Sequence, residues 1–407
     1  MLSLFTAFNV ILYFSHAYLW LWQEARISPF KPLHWYLFTI SVGFVFILIR
    51  AWGRFRLPSG PSLWLMIWGI TFVVMTSLSF LFLSSQDEIP LQALIKNSEA
   101  TALLLIFILL LQDKKVVRIA TYSLLFAVIG GVILNYIDFF MHGRLNMSFV
   151  DGRAAGIYVN PNTSGMMMVF GMVLTVFILP KRLRFIYCLF VASGVFLTFS
   201  RGAIVLWVVA MFCLAWKDAF VLSRLPSLIG MGVLVALLAT SLVAGDWLVA
   251  FKSSGMKKYL TSNTENRIGS SFMAQDDYSA RSRMLVARRG LQMFLDKPFL
   301  GNGVGSTQQL ATRVSTHNMY LLMGAEQGII GVAILLALIL ILWRAGTNIG
   351  RICAILYAIS GMFTHNSFEQ PSMQVVLALA VVGMGVMREK KSASSRAVSG
   401  HPRSAPA

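Results

Sequence analysis

Residues 315–331 read STHNMYLLMGAEQGIIG, a stretch that places one histidine ahead of three glycines at helical spacing. Gly324, Gly328 and Gly331 follow the histidine at +7, +11 and +14, the spacing of a single helical face. Glycines let a neighbouring backbone come close, so the histidine is predicted to face another helix, beside a protein-lined cavity where an ionisable group at membrane depth is tolerable. His317 is therefore a candidate catalytic group. The alternative is a structural histidine with a satisfied ring.

The composition around this stretch is that of a polytopic membrane protein. The chain has 407 residues, of which 57% are hydrophobic and 12% charged, and its mean hydropathy is +0.72. These values predict an all-α chain that crosses the membrane many times. The first apolar stretch lacks a basic leader, so it is predicted to be the first span rather than a cleaved signal peptide. The three cysteines lie inside apolar runs and suggest no disulfide framework.

Apolar stretches of about 16 to 24 residues indicate about twelve transmembrane helices. The prediction divides the chain into transmembrane helices 1–9 within residues 1–248, a large outer loop at 249–316, helices 10–12 within 317–389, and a disordered cytoplasmic tail at 390–407. The sequence shows no internal repeat of the kind common in secondary transporters. The predicted spans are 2–22, 32–50, 61–83, 97–112, 116–138, 163–180, 183–199, 203–216, 226–248, 318–343, 348–364 and 372–387.

Lysine and arginine divide unequally between the two predicted sides of the membrane. With the amino terminus in the cytoplasm, the inner connections and the tail carry 18 of the 34 basic residues and 3 of the 16 acidic ones, a net charge of +15. The outer side then has a net charge of +3. This asymmetry predicts two cytoplasmic termini and explains the total of +18 without nucleic acid binding. The candidate motifs at 151–165, 200–202, 364–366 and around His317 are all predicted to meet at the outer face.

Residues 281–295 of the outer loop, RSRMLVARRGLQMFL, are predicted to form an amphipathic helix over the membrane surface. Arginines on the outer side run against the positive-inside rule and suggest an anionic partner. Guanidinium binds phosphate oxygens with paired donors, so Arg281, Arg288 and Arg289 are predicted to hold a diphosphate. The alternative is a helix that lies on anionic lipid headgroups. The predicted apolar face consists of Met284, Ala287, Leu291 and Leu295.

Two further arginines lie beside small residues at the ends of predicted spans, and both are candidate substrate-binding residues. Arg153 follows a glycine in the outer segment 151–165. Arg201 occupies a very tight outer turn, FSRGA at 199–203, where an unpaired charge would be costly.

The remaining polar signals indicate turns and no metal. The histidines and the Asp276–Asp277 pair lack metal-ligand spacing, so neither a metal nor another cofactor is predicted. The segment Gly301-x-Gly303-x-Gly305 has no strand before it, which favours a flexible turn over a dinucleotide fingerprint. Asn160-Pro161-Asn162 is predicted to be a turn and helix cap, with substrate contact as the alternative.

The predicted outer segments contain several motifs whose residues stand at fixed spacing. The most specific is His317-Asn318 followed by nine residues and then Gly328-x2-Gly331. The others are Arg281-x3-Leu285, Ser200-Arg201-Gly202 and Pro298-x2-Gly301-x-Gly303. Together with the number of spans and the single large loop, these motifs resemble those of the O-antigen ligases of Gram-negative bacteria, within the wider superfamily of ligases and polymerases. The resemblance covers nearly the whole chain.

The resemblance implies transfer of a polysaccharide from undecaprenyl diphosphate to a terminal sugar of lipid A-core, on the periplasmic side of the bacterial inner membrane. It also implies a fold like that of the membrane-embedded, GT-C-like glycosyltransferases, contact with inner membrane lipids, and Asn318 as a substrate contact. The residues allow a matching mechanism, in which His317 takes the proton of the acceptor hydroxyl and arginines stabilise the leaving diphosphate without a metal. Direct displacement would invert the anomeric configuration.

Three other functions stay open at this stage. An O-antigen polymerase would use the same donor with a second lipid-linked glycan as acceptor. A protein O-oligosaccharyltransferase would glycosylate pilin or another protein. A transporter of lipid-linked glycans would need polar residues along a path through the membrane, whereas the polar groups here gather at one face. The motif spacing favours the lipopolysaccharide ligase.

Overall fold

The computed structural model describes residues 1–23, 25–51, 58–141, 152–221, 232, 278–309 and 317–383, with the backbone alone at 50–51 and 278–284. All regular elements within these ranges are helical, which confirms the all-α prediction for the described part of the chain. The predicted span 226–248 (apart from residue 232), most of the outer loop and the predicted tail at 390–407 lie outside the described residues.

Thirteen α-helices cover the described ranges, and three short helical turns accompany them. The turns are Gly156–Tyr158, Val176–Ile178 and the π-helical Leu379–Gly383. The α-helices are α1 Leu2–Phe14, α2 Ala17–Gln23, α3 Pro32–Ala51, α4 Pro61–Leu83, α5 Glu88–Leu110, α6 Lys114–Phe140, α7 Pro161–Thr175, α8 Lys181–Leu197, α9 Arg201–Trp216, α10 Tyr278–Asp296, α11 Met319–Arg344, α12 Asn348–Ser360 and α13 Pro371–Ala378.

Six helices of the described residues are long and apolar enough to cross a membrane, or seven if α1 and α2 form one broken span. The protein is therefore a polytopic membrane protein, while the predicted total of about twelve spans is not confirmed. The first predicted span, 2–22, is bent by 62° between α1 and α2. The span predicted at 97–112 is part of the longer α5, which begins at Glu88. The predicted span 348–364 contains a helix of only 13 residues, which rises about 20 Å against a hydrocarbon core of about 30 Å.

The centre of the bundle is α7, a methionine-rich helix whose side chains are buried from Thr163 to Thr175. It packs against α6, α8 and α9, and α6 in turn packs against α1. Gly171 makes the close approach possible, because a Cβ at this position would lie 2.4 Å from a Val128 methyl and 2.7 Å from the Phe14 ring. Helices α13 and α5 pack together, and α13 also contacts α1 and α7.

Helix α11 is kinked at Gly328, where φ is 63° and ψ is −155°. The single continuous glycine face predicted from residue 317 to residue 331 is therefore wrong, because the helical register breaks before Gly331. The kink receives the turn that follows α10: the backbone N–H of Ile329 donates to the Pro298 carbonyl at 2.8 Å, and a Cβ on Gly328 would lie 2.3 Å from the Phe299 oxygen. Only glycine fits both the positive φ and this contact.

The Gly301–Gly305 turn is a packed wedge rather than a loose connection. Its three glycines all have positive φ. The Asn302 and Gly303 N–H groups donate to carbonyls of α11 at 2.9 Å, and Val304 exchanges hydrogen bonds with Ser79 and Ser84 on α4 and just after it. The wedge therefore joins the start of α11 to the end of α4.

Candidate functional site

The beginning of α11 meets the loop between α12 and α13, which comprises residues 361–370. The backbone N–H of Met319 donates to the Gly361 carbonyl at 2.7 Å. The His317 and His365 rings are in edge-to-face contact, with centroids 5.0 Å apart and planes at 84°. The same loop reaches α9, because a Cβ on Gly202 would lie 3.5 Å from Phe363. The His317 motif, the 364–366 segment and the Ser200-Arg201-Gly202 turn are thus neighbours.

The segment 152–160 and the start of α7 join the same junction. The Ala154 N–H donates to the Leu197 carbonyl at 2.9 Å, next to the α8–α9 turn. Gln370, at the far end of the 361–370 loop, has its amide nitrogen 3.5 Å from the Thr163 hydroxyl on α7. The four segments predicted to meet therefore lie at one end of the bundle. We call this junction of the α7, α9 and α11 starts with the 361–370 loop the candidate site.

Each helix start at the candidate site is fixed by a side-chain cap. Asn160 accepts from the Asn162 N–H at 2.9 Å, Ser200 from Ala203 at 3.4 Å, and Asn318 from Leu321 at 3.1 Å. The predicted cap at Asn160 is confirmed. Asn318, predicted to bind substrate, uses its side-chain oxygen to cap α11. Helix starts carry partial positive charge, so three of them facing one junction favour an anion there.

His317 has a left-handed backbone conformation, with φ of 48°. This conformation is uncommon for a residue other than glycine and is tolerated best by Asn, Asp and His. It turns the chain directly ahead of the Asn318 cap, and the His317 side chain is half-buried. The structure thus holds this imidazole at a helix start and not along the face of a continuous helix.

His365 was not selected from the sequence, where it stood out only as part of the outer segment 364–366. Its Nδ1 is buried and has no hydrogen-bond partner among the described residues. Burial and, to a smaller extent, the neighbouring His317 together lower the pKa of His365 to about 4. A polar residue in a short outer connection, close to the end of a predicted span, was the one signal available in the sequence.

The predicted arginines fall into three environments. Arg153 is 3% exposed; its Nε donates to the Thr198 carbonyl at 2.8 Å and its Nη2 to Asn162 at 2.9 Å, so it links the 152–160 segment to α7 and α8. Arg201 is half-buried at the first position of α9, within the candidate site. Arg288 and Arg289 are exposed on α10. The side chain of Arg281 lies outside the description.

The predicted amphipathic helix corresponds to α10, which packs on α11 through a side other than the predicted apolar face. Leu291 and Leu295 are exposed, at 46% and 65%, whereas Val286 and Gly290 are buried. The reason is the contact at Gly324, which leaves room for the Phe294 ring about 3.2 Å from where a Cβ would stand. Arg288 therefore shares the exposed side with leucines, the pattern of a helix that lies on lipid.

Glu326 is a buried carboxylate that sequence reasoning missed. It lies on α11 two residues before the kink at Gly328 and is 7% exposed. The Thr307 hydroxyl donates to its Oε1 at 2.5 Å, and the Thr307 N–H lies 3.4 Å from the same oxygen. The carboxylate thus ties the end of the wedge to α11. Among the described residues there is no group of three or more His, Cys, Asp or Glu side chains that could hold a metal ion.

Residues 185–336 match the sequence model of a protein family described as O-Antigen ligase. The matched segment begins within α8, ends within α11 beyond its kink, and carries Arg201, Arg281, the Arg288–Arg289 pair and His317. The likeness to the O-antigen ligase family is confined to this segment. The family consists of glycosyltransferase-like enzymes of the ligase and polymerase superfamily. Arg153 and His365 lie outside the matched segment.

No curated protein and no solved structure matches the chain. The family match confirms the resemblance inferred from the motifs over residues 185–336, and the resemblance of the remaining residues stays a prediction. The predicted likeness to GT-C glycosyltransferases, the predicted domain boundaries and the predicted roles of the site residues stay predictions.

Proposed function

We propose that the protein is an O-antigen ligase that transfers a polysaccharide from undecaprenyl diphosphate to a sugar hydroxyl of lipid A-core. Transfer would take place in the periplasmic leaflet of the bacterial inner membrane, with both termini in the cytoplasm. The observation that carries the proposal is the meeting of His317 and His365 where α7, α9 and α11 begin, inside or beside a segment that matches the family.

In the proposed mechanism, His317 acts as the general base. Its imidazole takes the proton of the acceptor hydroxyl while the oxygen attacks the anomeric carbon of the donor. The bond between that carbon and the diphosphate oxygen breaks, and undecaprenyl diphosphate leaves with the electron pair. Attack opposite to the leaving group inverts the anomeric configuration.

Positive charge around the diphosphate would stabilise the leaving group. Arg201 begins α9 at the candidate site, and the starts of three helices add partial positive charge. Arg281, Arg288 and Arg289 on α10 are proposed to hold the donor near the membrane surface. The proposed part of Arg153 is indirect, through the Asn162 side chain that it contacts.

Permanent guanidinium charges need no divalent cation, so the proposed transfer is metal-independent. Transfer should then continue in EDTA. A loss of transfer in EDTA that magnesium restores would contradict this part of the mechanism.

The proposal is tested with purified protein, lipid-linked donor and separate acceptors. The expected product is lipid A-core that carries one polysaccharide, with no change in glycan length. A longer lipid-linked glycan would instead identify a polymerase, and a glycosylated pilin a protein oligosaccharyltransferase. Movement of donor across vesicle membranes without any new glycosidic bond would identify a transporter.

A further inference from the structure

We propose that His365 is a positioning residue for His317, and that its neutral imidazole accepts a hydrogen bond from the imidazolium that His317 becomes when it takes the acceptor proton. This inference rests on the proposed function, because it assumes that His317 is the general base. It adds a residue that lies outside the segment matched by the family.

The geometry of the two rings carries the inference. Their centroids are 5.0 Å apart with the planes at 84°, so an edge of one imidazole faces the other ring. The Nδ1 of His365 is buried and lacks a hydrogen-bond partner among the described residues. Buried polar atoms are normally paired, so an unpaired ring nitrogen beside a proposed base points to a partner that forms during the reaction. In the proposal this nitrogen is the one without a proton, and it accepts. Catalytic hydrogen bonds often tighten only when substrate is bound.

The loop that carries His365 is fixed to the helix that follows His317. The Met319 N–H donates to the Gly361 carbonyl at 2.7 Å, which joins the two segments at their backbones. The Thr364 hydroxyl donates to the Ser360 carbonyl at 3.1 Å and lies 2.8 Å from the Ser367 hydroxyl. These contacts hold His365 at a set distance from His317, as an orienting residue requires.

The protonation state of His365 fits the role of acceptor. Burial and the charge of His317 lower its pKa to about 4, so His365 is neutral at pH 7. A neutral imidazole has one nitrogen that accepts, and it does not repel the positive charge on its neighbour. In the reaction the acceptor oxygen loses its proton to His317 and bonds to the anomeric carbon, while the diphosphate leaves with the electron pair. His365 neither gains nor loses a proton.

The proposed hydrogen bond predicts the direction in which His365 shifts the pKa of His317. A hydrogen bond to the protonated form of His317 raises the pKa of His317. Removal of the acceptor should therefore lower that pKa and move the acidic limb of the transfer profile to lower pH. Other charged or titratable groups stand on the elements packed around His317 and could contribute to its pKa. These groups include Tyr320 and Glu326 on α11, Arg201 on α9, Glu369 in the 361–370 loop, and Arg288 and Arg289 on α10.

Two substitutions separate an acceptor from a packing residue. His365→Asn keeps an acceptor oxygen near the position of Nδ1 but loses the ring, whereas His365→Phe keeps a ring and loses the acceptor. His365→Leu is a second variant without an acceptor. The pKa of His317 is read in membranes from the pH dependence of its modification by diethyl pyrocarbonate, with the His317 peptide followed by mass spectrometry.

We expect His365→Asn to retain the His317 pKa and most of the transfer rate. His365→Phe and His365→Leu should lower the His317 pKa by about one unit and the transfer rate by about tenfold. The reverse order, with Phe active and Asn inactive, would make His365 a packing residue and overturn the inference. An unchanged His317 pKa in both variants without an acceptor would overturn it as well. Full transfer by His317→Asn would instead remove the proposed base, so the two failures are distinguishable.

Discussion

Single side chains at the candidate site are held by the capping of helix starts. Asn318 caps α11 directly after the left-handed His317, and Ser200 caps α9 directly before Arg201. Each functional side chain therefore leaves the backbone at a fixed point, one residue from a cap. Such support gives a proposed catalytic group a defined orientation before substrate arrives.

The charge of Arg201 alone does not explain a diphosphate contact, which also needs the planar paired donors of guanidinium. Arg201→Lys should therefore lower transfer by about tenfold or more, since hydrogen bonds to charged groups contribute about 1.5–3 kcal/mol. Arg182→Lys is the matched control, because Arg182 is exposed at the opposite end of α8. Both variants are compared in the transfer assay at equal amounts of inserted protein. Equal activity of the two would remove Arg201 from the proposed substrate site.

The sequence predicted much of the candidate site but not its closest contact. The order of predicted spans and connections was enough to predict that the 152–165 segment, Arg201 and His317 lie at one end of the bundle. The ring contact between His317 and His365 depends on how the 361–370 loop folds onto α11, and no periodicity reports that distance. The use of Asn318 as a cap was likewise hidden, since an asparagine before a helix is compatible with both roles.

At the scale of elements, the kink in α11 and the turn that follows α10 determine how α10 packs on α11. Residues 298–299 contact the kink, and the Gly301–Gly305 wedge bonds to α11 beside it. The glycine spacing predicted one continuous helix face. In the structure the helix is kinked at Gly328, where the backbone of the turn after α10 lies against it. The apolar face predicted for α10 is left at the surface, and α10 packs on α11 through another side, where the Phe294 ring meets Gly324 and side-chain volume sets the rotation of the helix. Leu291 and Leu295 point away from α11 for this reason.

A side chain at residue 328 should disrupt the wedge. Gly328→Ala places a Cβ 2.3 Å from the Phe299 oxygen at a φ of 63°, so it should destabilise the protein by about 1–3 kcal/mol and lower its Tm. Gly130→Ala is the control, since a Cβ at that α6 glycine meets nothing within 4 Å. Thermal unfolding of the purified proteins in detergent gives the comparison. Equal Tm values would show that the close approach at Gly328 does not stabilise the fold.

At the scale of the whole molecule, the charge division predicts which end of the bundle faces the periplasm. Cysteines introduced at Ser262 and Ser270 should react with an impermeant reagent in intact cells, and a cysteine at Ser392 should not. All three positions lie outside the described residues. The half-buried Cys213 is first replaced by serine to lower the background. Labelling of residue 392 from the periplasm would reverse the orientation.

Composition was sufficient to predict a helical membrane protein, because apolar length decides whether a helix can cross the bilayer. It was not sufficient to count the spans. The first predicted span is bent at residues 15–16, where the buried His16 and Ser372 side chains bond to each other, and α12 has only 13 residues. A hydropathy window averages over such breaks and reports one span.

The most direct test of the central claim is the transfer rate of a protein whose His317 cannot act as a base. His317→Asn is the better variant and His317→Ala the second, because asparagine tolerates the left-handed backbone at this position. His34→Asn, at an exposed histidine on α3, is the control. We predict that both His317 variants insert and bind donor, while transfer to lipid A-core falls by about two to four orders of magnitude and His34→Asn keeps full activity. Transfer by His317→Asn within about twofold of the His34→Asn rate would contradict the assignment of His317 as the general base.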